Sequence, residues 1–151
     1  MSHTRARAGD ESHPMVSGAT RIRDISDGTS NTIGVFELAS RNAIYKLRVK
    51  DTDFGIRFNS GGLWMDLYKG NTASQVRGTL YDGEDTPGPA RGGPCGINCK
   101  NTPQAGMYSW HVGGVNAMLT DGSVRFISQD TDSANIVRAL LIGDGKVQGE
   151  W

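Results

Sequence analysis

Residues 107–132 read MYSWHVGGVNAMLTDGSVRFISQDTD, and the rest of the chain is organised around them. Val115, Ala117 and Leu119 alternate with Asn116, Met118 and Thr120. Beyond Thr120-Asp121-Gly122, Val124 and Phe126 alternate with Ser123 and Arg125. Two period-2 runs around an Asp-Gly pair predict a β-hairpin, with Gly122 where the turn needs a positive φ. Asp130-Thr131-Asp132 then offers N-cap oxygens. Ile136, Val137, Leu140 and Leu141 recur at helical spacing, Asn135 and Arg138 point outward, and Gly143 is placed to end the helix.

Three ordered blocks carry a resemblance. From His111 there are nine residues to Asp121-Gly122. Residues 21–37 read RIRDISDGTSNTIGVFE, containing Asp27-Gly28-Thr29-Ser30-Asn31 and ending on Glu37. Cys95-Gly96-Ile97-Asn98-Cys99 lies between the two. Together they resemble the prepilin-type processing-associated H-X9-DG domain family, also known as domain of unknown function 1559 and as a solute-binding-like family. The family motif maps onto Asp27, Gly28, Thr29, Ser30, Asn31, Glu37, His111, Gly113, Gly114, Asp121 and Gly122. Members of that family begin with a leader and a long apolar pilin-type helix, so this chain looks like the C-terminal half of such a protein. The resemblance implies an extracellular or cell-surface, non-enzymatic structural subunit of pseudopilin or secretion type. Its implied partners are other pilin-like subunits or a surface assembly. The alternative it suggests is an extracellular solute- or glycan-binding module, for which Trp64, Tyr68, Tyr108 and Trp110 are the candidate ligand aromatics.

Composition bounds these readings. The 151 residues suit one domain, with 1–17 as a loose arm or expression remnant and 18–151 as the globular part. Sixteen basic residues balance sixteen acidic ones, which argues against nucleic-acid binding and against electrostatic membrane attachment. No run approaches the roughly 20 apolar residues of a membrane span, so no membrane contact is expected from this segment. Twenty-one glycines indicate a turn-rich β protein. The fold class expected is α+β: a mainly antiparallel sheet, long glycine-rich loops and a short C-terminal helix. That architecture is compatible with a pilin-like globular head lacking its N-terminal helix.

Along the chain, Asp27 to Asn31 reads as a turn whose Asp27 and Asn31 side chains satisfy nearby backbone groups, with a cation or small polar ligand as the alternative. Ala43 to Lys50 alternates as one strand with a basic outer face, Lys46, Arg48 and Lys50. Phe54, Ile56 and Phe58 repeat the pattern, and Asn59-Ser60-Gly61-Gly62 turns before Leu63-Trp64-Met65. Gly70 to Lys100 reads as one long surface excursion, with Asp82, Glu84 and Asp85 at a solvated tip that lacks the spacing of a calcium loop.

Cys95 and Cys99 have too few neighbouring ligands for zinc and one residue too many between them for a redox C-x-x-C. A local disulfide that fixes a loop is the best reading, with free thiols as the alternative. His3 and His13 lack partner ligands, so no metal and no cofactor is expected. For His111, strand pairing with residue numbers summing to about 242 places it beside Asp130, Thr131 and Asp132. It is then a structural tie between hairpin and helix rather than a catalyst. Ser109 lies two residues away, but no oxyanion-loop motif accompanies it, and Asp121 lies at the far end of the ladder. A hydrolase is therefore the third reading.

Overall fold

The computed structural model describes residues 21–39, 43–52, 77–87, 92–102, 105–143 and 145. The expectations for the arm at 1–17, for Phe54 to Met65 including Trp64, and for Tyr68 lie outside the described residues.

Strands β1 (Ile33–Phe36), β4 (Gly114–Leu119) and β5 (Val124–Ser128) form an antiparallel sheet in the order β1-β4-β5. A second, two-stranded sheet joins β2 (Tyr45–Lys46) to β3 (Val49–Lys50), and helix α1 (Ser133–Leu140) closes the described fold. The architecture is α+β, as expected. No described helix is long and apolar enough to cross a membrane.

The hairpin forms as its alternation dictates. Its pairs run from Gly114↔Ser128 to Met118↔Val124, so residue numbers do sum to 242. Val115, Ala117 and Leu119 are buried together with Ile33, Ile97, Met107, Ile127, Ile136 and Ala139. That apolar layer is the main core, and α1 and the Cys95–Cys99 loop cover it. The opposite sheet face is left open: Val35 is 58% exposed, Met118 41%, Val124 66% and Phe126 52%.

In β1 the register slips by one residue. Ile33 pairs with Leu119, but Val35 pairs with Met118 and Phe36 with Ala117, so a bulge lies at Gly34. Phe36 thereby packs against the core while Val35 faces out.

Three expectations are corrected. Ala43 to Lys50 is not one strand but a tight hairpin, because Leu47 and Arg48 both adopt positive φ (48° and 69°). Helix α1 ends at Leu140 with an extended Leu141, before Gly143, and its Val137 is exposed. The stretch expected as a surface excursion is exposed at Tyr81, Asp82, Glu84 and Asp85 but interior over 95–100. Cys95, Ile97, Asn98, Cys99 and Lys100 are all buried, and Thr79 bridges Cys95. The tip at Asp82, Glu84 and Asp85 is exposed, as expected, and two of its carboxylates are paired, Glu84 with Lys46 Nζ at 2.7 Å and Asp85 with Lys100 Nζ at 2.9 Å. Asp82 Oδ1 accepts from the Glu84 N–H at 2.9 Å.

Candidate functional site

The motif residues gather at the two ends of β4. At the hairpin tip, Asp121 Oδ1 accepts from Ser123 N–H at 2.8 Å and from its hydroxyl at 2.7 Å, and Gly122 has φ 88°. The Asp27–Asn31 turn docks on that tip. Thr29 O accepts from Asp121 N–H (3.1 Å) and from the Thr120 hydroxyl (2.9 Å), and Thr120 N–H donates to Thr32 O (2.8 Å). Within the turn, Gly28 has φ 93°, the Asn31 amide donates to Asp27 O (3.2 Å) and the Thr32 hydroxyl donates to Gly28 O (3.1 Å). Asp27 Oδ1 accepts from Gly145 N–H at 3.1 Å and thereby ties the turn to the chain's far end. Ser30 is an exposed residue of this turn. These residues hold one loop against another, which is what the side-chain oxygens and positive-φ glycines of such turns do.

At the opposite end of β4 stand Glu37, His111 and Asn116. Glu37 follows β1 and continues its pairing, its N–H donating to Asn116 O at 3.3 Å. Its Oε2 accepts from Asn116 N–H at 2.8 Å, and its Oε1 accepts from the Asn116 amide at 3.1 Å. His111 Nε2 lies 3.1 Å from the same Oε1. Burial pulls the Glu37 carboxyl upward. The Asn116 hydrogen bonds, then the bond to His111 and its charge, outweigh burial and hold the carboxyl below its ordinary value.

The placement of His111 beside Asp130, Thr131 and Asp132 is thus overturned. The hairpin register is as expected, and one more pair, Gln129 N–H to Gly113 O at 2.7 Å, extends it. Gly113, at φ 86°, then turns the chain out of the ladder, so counting no longer locates His111. Gly114 is needed for close approach, since a Cβ there would lie 2.0 Å from Ile127 O. Asp132 caps Ala134 N–H at 2.7 Å without the imidazole.

Asn98 was missed, and it supports this end. Its amide oxygen accepts from Ser109 N–H (2.8 Å) and its amide nitrogen donates to Gly114 O (3.1 Å). The Ser109 hydroxyl donates to Gly114 O (2.6 Å) and accepts from His111 N–H (3.1 Å). Asn98 sits in the ring closed by the Cys95–Cys99 disulfide. Arg48 donates to His111 O at 2.5 Å. Asn116 and Arg48 were also missed, since an Asn inside a strand and an Arg on an alternating run carry no distinctive signal. An Asn between two cysteines, a residue type that accepts a left-handed backbone, is the one cue that the sequence offered for Asn98.

Chemically, the arrangement is a carboxylate that orients an exposed imidazole. The Ser109 hydroxyl, already committed to a backbone carbonyl and a backbone N–H, is not a poised nucleophile. Of the candidate aromatics, Tyr108 is buried. Trp110 is half exposed and packs edge-on to Tyr45 (ring centroids 4.9 Å apart) and to Tyr108 (5.9 Å). Among the described residues no group of three or more His, Cys, Asp or Glu is placed to hold a metal. A separate cleft of about 380 Å³ lies beside the start of α1, lined by Tyr81, Pro94 and residues 129–133.

A family model described as protein of unknown function (DUF1559) matches residues 1–134. No curated protein and no solved structure matches the chain.

Proposed function

The chain belongs to the family described as protein of unknown function (DUF1559), and from that premise we propose that it is a non-enzymatic structural subunit of an extracytoplasmic, pilin-like assembly. The observation that carries this reading is the open sheet face, where Val35, Met118, Val124 and Phe126 stand exposed side by side across three strands. A contiguous apolar surface on a soluble domain marks a contact site. Other copies of the chain are the occupants this reading assigns to it. Two further observations support it. The side chains of Asp27, Asn31, Glu37 and Asp121 are engaged with backbone groups, and a disulfide suits an oxidising compartment.

The test compares chemical crosslinking and sedimentation of the parent with those of Phe126→Glu and Met118→Glu. A carboxylate forced into an apolar contact should lower the associated fraction about tenfold or more while melting stays near the parent's. Association unchanged in both variants would sink the reading.

A solute- or glycan-binding module is the second reading, and the cleft at Tyr81 favours it. It combines an exposed aromatic ring with carboxylates and with Thr131 Oγ1, a buried hydroxyl that has no protein partner. Chemical-shift titration with soluble oligosaccharides, read at Tyr81 and Gln129, separates the two. Saturable shifts abolished by Tyr81→Ala would support a binding module.

A further inference from the structure

We propose that the Cys95–Cys99 disulfide is a latch that sets the surface knuckle Trp110-His111-Val112, so that His111 meets Glu37 only once the ring is closed. Two hydrogen-bonded routes run from the ring to His111. The first passes through Asn98, held at φ 61°, whose amide takes Ser109 N–H with one end and Gly114 O with the other. The Ser109 hydroxyl then receives His111 N–H. The second passes through Cys99 O, which accepts from Leu47 N–H at 3.0 Å. That bond seats the β2–β3 hairpin, whose next residue, Arg48, grips His111 O. Both routes begin within the five residues that the disulfide encloses.

The ring is itself pinned to the adjoining chain, with Asn98 N–H donating to Met107 O at 3.0 Å and Met107 N–H donating to Gly96 O at 3.0 Å. A left-handed Asn is one of several conformers in an open chain. Closing a short ring removes most of the others, and with them the part of the relay's ordering cost that falls on Asn98. Closure needs a disulfide oxidant. The two thiols give up two electrons and two protons, the Sγ–Sγ bond forms, and the oxidant's own disulfide becomes two thiols. The exposed Val112 and half-exposed Trp110 flank the imidazole, so the latch orders a surface feature and not the core alone.

The proposal goes beyond the subunit reading and does not rest on it. The test follows the cross-relaxation between the His111 ring and the Asn116 side chain by NMR, in the oxidised chain, after dithiothreitol, and in Cys95→Ser/Cys99→Ser. Loss of that signal in both reduced forms, with Ala117–Arg125 cross-strand contacts retained, is the expected result. Its persistence after reduction overturns the latch. Should the cysteine variant lose the hairpin as well, Asn98→Gly in oxidised protein decides. Glycine keeps the left-handed backbone but lacks the amide, and Arg48→Ala in the same chain cuts the second route, so the signal should vanish, and its retention overturns the proposal. Assembly that survives Phe126→Glu in both redox states sinks the subunit reading while leaving the latch standing.

Discussion

Glu37 receives three donors on one carboxylate, and that arrangement makes it acid-sensitive. Its folded pKa lies below the ordinary value of 4.5, so its stabilisation is complete above that value and is lost as pH falls through the lower folded one. Thermal melts between neutral and strongly acid pH should therefore drop less steeply for Glu37→Gln than for the parent. A parallel drop would show that the carboxylate's charge is immaterial. At neutral pH, Glu37→Ala should cost about 1 kcal/mol, because Asn116 N–H loses its acceptor at a half-exposed position. For His111→Ala a cost of 1–3 kcal/mol follows if the imidazole is a buried tie. The side chains are instead 55% and 34% exposed, so the loss by urea denaturation should be below about 1 kcal/mol, with His111→Gln near the parent. His111 was singled out by its spacing to Asp121-Gly122, which carries the family resemblance. Its partner was not, because Glu37 lies 74 residues away and β1–β4 pairing is a tertiary choice that no local pattern encodes.

Among the elements, the β4–β5 hairpin was readable because period-2 alternation and an Asp-Gly turn agree about it. The β2–β3 hairpin was not, since Leu47-Arg48 continue the alternation and carry none of the Asn or Gly that two positive-φ residues ordinarily require. This turn is costly, and Leu47→Asn should raise stability by about 0.5–1 kcal/mol in a denaturation midpoint, as Asn accepts that backbone more readily. A lowered midpoint would mean that the half-exposed Leu47 side chain makes a contact that outweighs the backbone term. The Cys95–Cys99 loop was placed on the surface because glycines and prolines suggest loops. In the fold, such glycines serve close packing of backbone on backbone, as at Gly93, where a Cβ would lie 2.2 Å from Thr79 O. Composition alone does not separate these two uses.

At the scale of the whole molecule, one sheet face is committed to α1 and the disulfide loop, and the other remains apolar and open. Opening the ring should lower stability by roughly 2 kcal/mol, the magnitude for a very short loop, as read from melting of Cys95→Ser/Cys99→Ser. An unchanged melting point would mean that the hydrogen bonds around Asn98 alone hold the loop. Which side chains fall on which face was only half legible, and the reason is Gly34. Strands count in twos, so the side on which a residue emerges is a parity, and the extra residue at the bulge reverses it for everything downstream. Ile33 and Phe36 lie three positions apart and yet share the interior, which an unbroken strand forbids. Removing Gly34 would turn Phe36 toward water and Glu37 toward the core, though no remaining side chain had changed its chemistry. The meeting of Glu37 with His111 is thus guarded by arithmetic as much as by residue type: along β1, chain length is free to vary by twos and fixed against change by one.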